Sequence, residues 1–563
     1  MIAPPALARL PIRAALWATI IAFLVAAVLG PEVSLTTFFL HRQDRWLLLA
    51  GLVVLALARI RLTGRAALPE LQWRACLLVA LALAVVTLAG HYWVLCGYDL
   101  SRDEQMATFD AAVFASGHLV QPLPVLWRDH ADALNTLFMV PAAHRGAWIS
   151  AYLPVNAALR ALCDLIATPA IANPLLTALG AVALWGCFRR LWPEDREAGF
   201  IAMVLYAGSA QVLMLGMTSY AMPGHLALNL CWLWLFLRRT WAGDAAALVV
   251  GFAATGLHQI VLHPLFAAPL LALLLIERRW DRAALYGVGY ALIGAFWLGW
   301  SMPLWALVQS DPHALPPVGV DVFSRLPAML NDAWLVSIPW MTLNLLRFIA
   351  WQHLLLVPLA LLGLRGWRRN PMIAALAAGP LATLILSAVV LPYQGHGFGY
   401  RYLHGLIGNG ILLAIFGWKS LGDQLPRWRT LLVRTSAAGA IVLVPTQMVM
   451  AHRFYAPVAR ASAQIAQITA DYAVIGQKDV RYSRDLVFNP PLLNRRPIRL
   501  IREALDPATI TAICASHPSV VLIGDAVQHP IATAYGFDQA QADRANRAIA
   551  PRLAQAGCII SAS

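Results

Sequence analysis

Charged side chains are scarce in this chain: Asp, Glu, Lys and Arg make up 12% of the 563 residues, whereas 60% are hydrophobic. The long apolar runs contain almost no Asp, Glu or Lys. Because ionisable side chains within membrane spans usually mark a pathway for ions or substrates, their scarcity argues against a proton- or sodium-coupled transporter. The mean hydropathy of +0.65 also excludes a soluble globular protein.

The chain also lacks the signatures of metal and nucleotide sites. Its seven cysteines show no metal-ligand spacing, and the segment after Met450 has no G-x-G-x-x-G motif and no phosphate loop. Most of the cysteines fall in or beside apolar segments, where small buried side chains are expected. Cys514 and Cys558 lie in the polar C-terminal segment and can form a disulfide in an oxidising compartment, although the sequence leaves open whether they pair.

What is present is a series of apolar runs of about 17–23 residues, each long enough to cross a membrane as a helix. We predict about thirteen spans, near residues 14–30, 46–60, 75–96, 170–190, 198–217, 222–238, 245–262, 264–276, 284–306, 349–366, 371–391, 404–420 and 430–450. The formal charge of +14 does not indicate nucleic-acid binding, because the arginines concentrate in short loops, as they do on the cytoplasmic side. Arg9 and Arg13 place the N-terminus in the cytoplasm, and an odd number of spans places the C-terminal segment on the exported side.

The predicted fold is an all-α polytopic membrane domain over residues 1–450, followed by a small exported α/β domain over 451–563. The elements predicted in the second domain are strands at 520–523 and 558–560 and helices at 507–516 and 539–550. Pro551 is expected to stop or kink the last helix.

The exported segment 97–169 is too long for a simple connection and carries two helical patterns. Apolar residues of 106–114 recur at three- and four-residue spacing, and a second amphipathic pattern runs over 149–166. These patterns predict two helices in the membrane interface or, as the alternative, ordinary loop helices packed on the bundle. Another exported segment, 307–348, contains five prolines and is predicted as a loop that either covers a cavity or forms a rigid surface.

Four groups of polar residues fall at the exported ends of the spans. They are the acidic pair Asp103 and Glu104, the turn with His258 and His263, the segment 393–404 with His396, Tyr400, Arg401, Tyr402 and His404, and the turn with Tyr220 and His225. An acid pair in a loop is often solvated surface, and a histidine at a helix end is often a cap. Segment 393–404 is harder to explain in this way, because its three glycines, three tyrosines and one arginine allow close backbone approach, aromatic stacking and bidentate anion binding.

These features resemble the GT-C glycosyltransferases, polytopic enzymes that include the aminoarabinose transferases of lipid A and the protein O-mannosyltransferases. The resemblance rests on the Asp-Glu pair at 103–104, on Ser-Gly-His-Leu-Val-Gln-Pro at 116–122 after a predicted helix, and on Gly-Tyr-Arg-Tyr at 399–402. It covers residues 75–450 loosely. Two spans rather than one precede the span that leads into the acidic loop, and the next exported loop, near 217–224, lacks a second acid, so Glu104, Asp110 or a histidine becomes the alternative partner of Asp103.

The resemblance implies inverting transfer of a sugar from a polyprenyl-phosphate donor to an acceptor on the exported face of the bacterial plasma membrane. The implied catalytic residues are Asp103, which would accept the proton of the acceptor hydroxyl, and its neighbour Glu104. The implied donor-phosphate ligands are Arg401, His258, His263 and His404, and the implied substrate-binding residues are Tyr400, Tyr402, His396 and His225.

The implied partners are a lipid-linked sugar donor, membrane lipids, and a glycan, lipid or protein acceptor. The family pattern leaves open whether a divalent cation takes part, and no other cofactor is implied. Two alternatives remain at this stage: a transporter or flippase of lipid-linked glycans, and a non-catalytic scaffold whose C-terminal segment binds envelope partners.

Overall fold

The computed structural model describes residues 9–60, 62, 66–142, 144–311, 313–316, 334–536 and 541–561. The chain divides into two compact units. Unit 1 comprises Met1–Ala89, Ile171–Trp297 and Leu326–Val449, and unit 2 comprises Gly90–Ala170, Leu298–Arg325 and Met450–Ser563.

Helices dominate the structure. In chain order they are α1 (Leu10–Val28), α2 (Leu35–Phe39), α3 (Arg45–Ala58), α4 (Trp73–Trp93), α5 (Arg102–Ala115), α6 (Val125–Arg128), α7 (Val155–Asp164), α8 (Ala172–Leu191), α9 (Arg196–Ala207), α10 (Ala210–Gly216), α11 (Met222–Phe236), α12 (Trp241–Thr255), α13 (Leu262–Ile276), α14 (Trp280–Gly299), α15 (Ser301–Val308), α16 (Trp334–Ala350), α17 (Leu356–Gly363), α18 (Pro371–Val390), α19 (Ile407–Lys419), α20 (Leu425–Ala438), α21 (Val444–Ala466), α22 (Ser483–Leu486), α23 (Pro507–Cys514), α24 (Asp525–Tyr535) and α25 (Ala542–Gln555). Short 3₁₀ turns include Ala131–Leu134, Pro169–Ile171, Leu364–Gly366, Arg401–Leu406, Gly422–Gln424 and Arg502–Ala504, and Leu40–Asp44 and Gly439–Leu443 are π-helical.

Within the described ranges, six helices are long and apolar enough to cross a membrane: Leu10–Val28, Trp73–Trp93, Pro169–Leu191, Trp280–Val308, Pro371–Val390 and Gly422–Ala466. A seventh is counted if Glu197–Ala207 and Ala210–Gly216, which are bent by 57°, form one span. The predicted count of about thirteen is therefore not confirmed. Several of the other predicted spans coincide with apolar helices of 10–17 residues, such as α12 and α13.

The bend between α9 and α10 has a local cause and orders a buried polar chain in unit 1. Ser209 caps α10 by accepting a hydrogen bond from the backbone N–H of Val212 (3.3 Å), so the helix restarts in a new direction. The Ser209 hydroxyl also donates to Oε1 of Gln352 (2.8 Å), whose Nε2 donates to Oε1 of Gln211 (2.8 Å). Gln211 in turn donates to the backbone oxygen of Tyr400 (2.9 Å), so this chain holds the segment that precedes α19.

The prediction of an exported loop over 307–348 is wrong at the C-terminal end of that segment. Helix α16 begins at Trp334 and continues to Ala350 with Pro339 inside it, and the span predicted from 349 starts only at Leu356. Proline in a helix costs one backbone hydrogen bond but does not prevent the helix where the flanking residues pack. Three of the five prolines, at 312, 317 and 327, lie outside the described residues.

In unit 2, helix α5 begins with a capping box. Ser101 precedes the helix, and its backbone N–H and hydroxyl both donate to Oε2 of Glu104, at 3.2 and 3.1 Å. The predicted apolar face is buried, with Met106, Phe109 and Val113 in the unit's hydrophobic core. The helix predicted over this stretch is therefore confirmed.

The second amphipathic helix of this segment, α7, packs through its small residues. Ala157 and Ala161 are buried against α5, while Leu162, Leu165 and Ile166 at its end are exposed (58, 73 and 83%). Asp164 is exposed beside them, so the interfacial helix and the ordinary loop helix both stay predictions.

The C-terminal part of unit 2 is a four-stranded parallel sheet flanked by helices. Strands β3 (Tyr472–Ile475), β4 (Ile498–Ile501), β5 (Ser519–Leu522) and β6 (Ile559–Ser561) follow the spatial order β4-β3-β5-β6. A short antiparallel pair, β1 (Gln121–Pro122) and β2 (Ala147–Trp148), lies earlier in the unit. The strands predicted at 520–523 and 558–560 are present with boundaries shifted by one residue.

Three features of this segment bear on what was predicted from the sequence. Cys514 and Cys558 form a disulfide, which joins the end of α23 to the start of β6. Pro551 does not end the last helix, because α25 continues to Gln555 with the proline on its exposed side. The boundary predicted at residue 450 falls inside α21, which runs without interruption from Val444 to Ala466.

Candidate active site

Asp103 stands in the first turn of α5 and is only partly buried. The hydroxyl of Tyr152 donates a hydrogen bond of 2.5 Å to its Oδ1, which is at the short end of the range for a bond to a carboxylate. Because Asp103 is in the first helical turn, the partial positive charge of the helix N-terminus also favours its ionised form. The residue is thus an oriented carboxylate within reach of solvent.

Glu104, the second member of the predicted acidic pair, is in a different environment. Its side chain is fully buried, caps α5 through Ser101, and accepts hydrogen bonds of 3.2 Å at both oxygens from the Tyr455 hydroxyl. Burial, reinforced by the charge of Asp99, raises the pKa of Glu104 to about 8. At neutral pH the Glu104 carboxyl is therefore protonated, and its role is to stabilise the fold of unit 2.

Asp110, the alternative partner of Asp103, is also buried. Its Oδ1 accepts a hydrogen bond from the Ser150 backbone N–H (3.0 Å) and its Oδ2 from the Ser150 hydroxyl (2.5 Å). Burial raises the pKa of Asp110 to about 7, although the bonds from Ser150 oppose that rise. Asp103 is therefore the carboxylate among these three that combines partial exposure with an oriented hydrogen bond.

The glycine-rich segment of unit 1 folds around an arginine, as its composition predicts. Gly395, Gly397 and Gly399 all have positive φ, at +67°, +147° and +65°. A Cβ at Gly397 would lie 2.5 Å from both Cγ and Cδ of Arg401, and one at Gly399 would lie 2.1 Å from Oε1 of Gln211. Only glycine allows both the backbone conformation and these close approaches.

Arg401 begins the 3₁₀ turn Arg401–Leu406 and is 5% exposed. Its backbone N–H donates to Oε1 of Gln394 (2.8 Å), and its Nη2 donates to the backbone oxygen of the same residue. The guanidinium lies over the ring of Tyr220, 4.6 Å from the ring centroid, and 6.0 Å from that of Tyr402. A loop that wraps back on itself thus holds a buried cation between aromatic rings.

Tyr220 connects this cation to a second predicted residue. Its hydroxyl lies 2.9 Å from Nδ1 of His396, which is also buried, and the two rings are tilted at 34° with centroids 6.1 Å apart. Tyr400 and Tyr402 are buried too, and the Tyr400 hydroxyl contacts Sδ of Met341 at 3.8 Å. The structure therefore brings His396, Tyr400, Arg401 and Tyr402 together.

The remaining predicted histidines form a separate group. His258, His263 and His404 lie within electrostatic range of His225, which is buried among helices and whose ring nitrogens have no hydrogen-bond partner within the described residues. His263 is fully buried, and its ring nitrogens lie 2.7 Å from Oδ1 of Asn229 and 2.7 Å from the hydroxyl of Tyr290. Both ring nitrogens of His263 therefore already have a hydrogen-bond partner.

Arg347 was not identified from the sequence, because it falls in the segment predicted as a loop. It is fully buried on α16, donates through Nη2 to the backbone oxygen of Gly397, and lies 3.7 Å from the centroid of the Phe39 ring. Two buried arginines therefore contact the same glycine-rich segment, Arg347 at Gly397 and Arg401 at Gln394. A helix predicted over 334–350 would have placed Arg347, a basic residue, on an otherwise apolar helix.

Within the parts of the chain that the structure describes, no three His, Cys, Asp or Glu side chains come together in a way that could hold a metal ion. Asp103 belongs to unit 2, whereas the arginines and the histidine group belong to unit 1.

No protein-family model matches this chain, and no curated protein matches it. Among solved structures, the chain is similar to the crystal structure of ArnT from Cupriavidus metallidurans bound to undecaprenyl phosphate, with 12% sequence identity, 80% of this chain and 87% of that chain covered, and a TM-score of 0.47. It is also similar to the structure of the same protein in the apo state, with 12% identity, 84% and 94% covered, and a TM-score of 0.44.

Proposed function

We propose that this chain is a membrane glycosyltransferase that transfers a sugar from a polyprenyl-phosphate carrier to an acceptor hydroxyl on the exported face of the bacterial plasma membrane. The observation that carries the proposal is the environment of Asp103. A general base must be ionised, oriented and reachable by its substrate, and Asp103 combines partial exposure with the 2.5 Å hydrogen bond from Tyr152. Its neighbours Glu104 and Asp110 are buried carboxyl groups with raised pKa values.

The proposed reaction is a single inverting displacement. The acceptor oxygen forms a bond to the anomeric carbon as the bond from that carbon to the phosphate oxygen breaks. The acceptor proton passes to a carboxylate oxygen of Asp103, and the polyprenyl phosphate leaves with the bonding electron pair. Because the leaving group is already anionic, it needs charge stabilisation more than it needs a proton.

We assign that stabilisation to Arg401, with Arg347 as a second cation at the same segment. A guanidinium is permanently charged and presents a planar set of donors that matches the oxygens of a phosphate. The aromatic rings of Tyr220 and Tyr402 fix its position.

Two residues predicted from the sequence are left out of this proposal. Glu104 caps α5 and is buried, so we assign it a structural role rather than a catalytic one. His263 is held by Asn229 and Tyr290, and binding a phosphate would break one of those contacts. We retain His258 and His404 as candidates for the donor site, and His225, His396, Tyr400 and Tyr402 as candidates for substrate contact.

The experiment that tests this function uses the purified protein with a radiolabelled polyprenyl-phosphate sugar and a panel of lipid, glycan and peptide acceptors. Release of free polyprenyl phosphate together with label on an acceptor supports transfer. In proteoliposomes, movement of intact donor between leaflets without cleavage would instead identify a flippase. We expect Arg401→Ala to raise the KM for the donor more than the KM for the acceptor, and an equal effect on both would contradict the phosphate assignment.

A further inference from the structure

The parallel sheet of unit 2 opens a cleft that the proposed reaction does not use. Because all four strands are parallel, their carboxyl ends lie at one edge, and the segments that follow β3 and β4 line an open cleft of about 910 Å³ together with helix α25. In the sheet, β4 lies on one side of β3 and β5 lies on its other side. The direction in which the chain adds strands therefore reverses at β3, which makes the position beside this strand a topological switch point. In open α/β sheets, ligands bind at this position, outside the carboxyl ends of the strands.

A fixed network of polar side chains lies on one side of this cleft. Arg502, immediately after β4, forms a two-pronged ion pair with Asp479, the residue four positions after β3, and donates to Oδ1 of Asn546 on α25 (3.0 Å). The Arg502 and Asp479 side chains are 9 and 5% exposed. Their geometry is therefore set before any ligand arrives, which is what a specific polar site requires.

The same network contains a buried acceptor that is not used within the described residues. Gln528, on α24 after β5, is fully buried and donates through Nε2 to Oδ2 of Asp479 (3.1 Å). Its Oε1 has no hydrogen-bond partner there. Gln528 is not among the residues that line the cleft, so its role is to hold the Asp479 carboxylate in position.

The rim of the cleft carries an excess of positive charge. Lys478 and Arg481 follow β3, Arg544 projects from α25, and the carboxylates at the cleft, Asp479 and Glu503, both pair with Arg502. Lys478 and Arg544 are exposed, so a ligand can reach them without rearrangement of the fold. A cationic rim above a network of arginine, carboxylate and amide groups suits a molecule that has both hydroxyls and a negative charge.

We propose that this cleft is a binding site for a saccharide that carries a phosphate or carboxylate group. The hydroxyls of the sugar would meet the fixed network at Asp479 and Glu503, which line the cleft, and the anionic group would meet Lys478 and Arg544. A nucleotide is not the expected ligand, because the segment after β3 is neither glycine-rich in the required pattern nor a phosphate loop. The site does not depend on the transfer reaction proposed above.

The test measures binding to the full-length detergent-solubilised protein by isothermal titration calorimetry, with glucose 1-phosphate, glucuronate, glucose and inorganic phosphate as probes. The rim variant is Lys478→Ala with Arg544→Ala, and the matched control is Arg547→Ala, an exposed arginine of the same helix that does not line the cleft. We expect one or both anionic sugars to bind, and the rim variant to weaken that binding roughly tenfold or more. The control is expected to bind as the wild type does.

The Asp103→Asn protein should bind the same probe unchanged, so that failure of the transferase proposal and failure of this one are distinguishable. Glucose 1-phosphate and glucuronate separate a phosphate source of the charge from a carboxylate source. Equal affinity for glucose and the anionic sugars, equal affinity for inorganic phosphate and glucose 1-phosphate, or no binding of any probe would each overturn the proposal. So would a loss of affinity in Arg547→Ala as large as that in the rim variant.

Discussion

The hydroxyl of Tyr152 donates to Oδ1 of Asp103 at 2.5 Å, across 49 residues of sequence. A second tyrosine, Tyr455, donates in the same way to the adjacent acid Glu104, at 3.2 Å. The two neighbouring acids therefore each have a tyrosine partner, one at a partly exposed carboxylate and one in the core of unit 2. This pairing offers a matched comparison of a catalytic and a structural hydrogen bond.

We expect Tyr152→Phe to lower turnover by roughly tenfold, because the variant loses a charge-assisted hydrogen bond that orients the base. Its thermal unfolding midpoint should change little. Tyr455→Phe is expected to do the reverse, with turnover retained and a loss of about 1 kcal/mol in stability from the buried bond. Steady-state kinetics and thermal unfolding in detergent measure both. The assignment of roles is contradicted if Tyr455→Phe is the variant that loses turnover.

The Glu104→Gln substitution tests whether the second acid takes part in catalysis. Glutamine serves in a capping box as glutamate does, and it resembles the protonated carboxyl that a pKa of about 8 implies at neutral pH. We therefore expect turnover within a few-fold of the wild type at pH 7. Loss of activity comparable to that expected for Asp103→Asn, in a protein that unfolds at the wild-type temperature, would make Glu104 catalytic.

The buried carboxyl groups predict how stability depends on pH. In the folded protein the pKa of Glu104 rises from 4.5 to about 8, and that of Asp110 rises from 3.8 to about 7. The folded state therefore binds more protons than the unfolded state between about pH 4 and 8, so this contribution is complete at acidic pH and is lost as pH rises through 7 and 8. We expect the unfolding midpoint to fall less, or rise more, between pH 5.5 and pH 8.5 in Glu104→Gln than in the wild type, because the variant lacks this contribution. An equal change of the midpoint in the two proteins would contradict the raised pKa of Glu104.

Gly397→Ala tests the loop that holds the arginine without touching its charge. The added Cβ would lie 2.5 Å from two carbons of Arg401, and alanine disfavours the φ of +147° at this position. We expect a loss of donor affinity of roughly tenfold or more, similar to that of Arg401→Ala. Gly294→Ala is the control, because its Cβ would meet nothing within 4 Å in helix α14. Wild-type donor kinetics in Gly397→Ala would show that the position of Arg401 does not matter.

Local sequence signals predict some backbone features better than they predict helix boundaries. The three glycines of 393–404 indicate close backbone approach, and the backbone at Gly397 and Gly399 does lie close to neighbouring side chains. The Ser-x-x-Glu spacing from Ser101 to Glu104 is a recognisable capping box, and it would have separated the roles of the acid pair from sequence alone. The family resemblance of the Asp-Glu motif instead groups the two acids together as catalytic residues.

Other features depend on tertiary packing and were not accessible from sequence. Arg347 lies in a segment predicted as part of the proline-containing loop 307–348, whereas the structure has a helix over 334–350 with Pro339 inside it. Apolar runs do not show where a chain will break into shorter helices, as it does at Ser209, and the predicted number of spans is not confirmed. The Gln528 to Asp479 contact joins residues 49 positions apart, and no periodic pattern marks it.

The central claim, that Asp103 is the general base of a glycosyl transfer, is tested most directly by Asp103→Asn. The measurement is single-turnover release of polyprenyl phosphate from a labelled polyprenyl-phosphate sugar, with the acceptor at saturation and the folding of each protein checked by its unfolding midpoint. We predict that the variant folds and binds donor as the wild type does while its rate falls by roughly 10²–10⁴. A folded Asp103→Asn protein that releases polyprenyl phosphate at the wild-type rate would contradict the account.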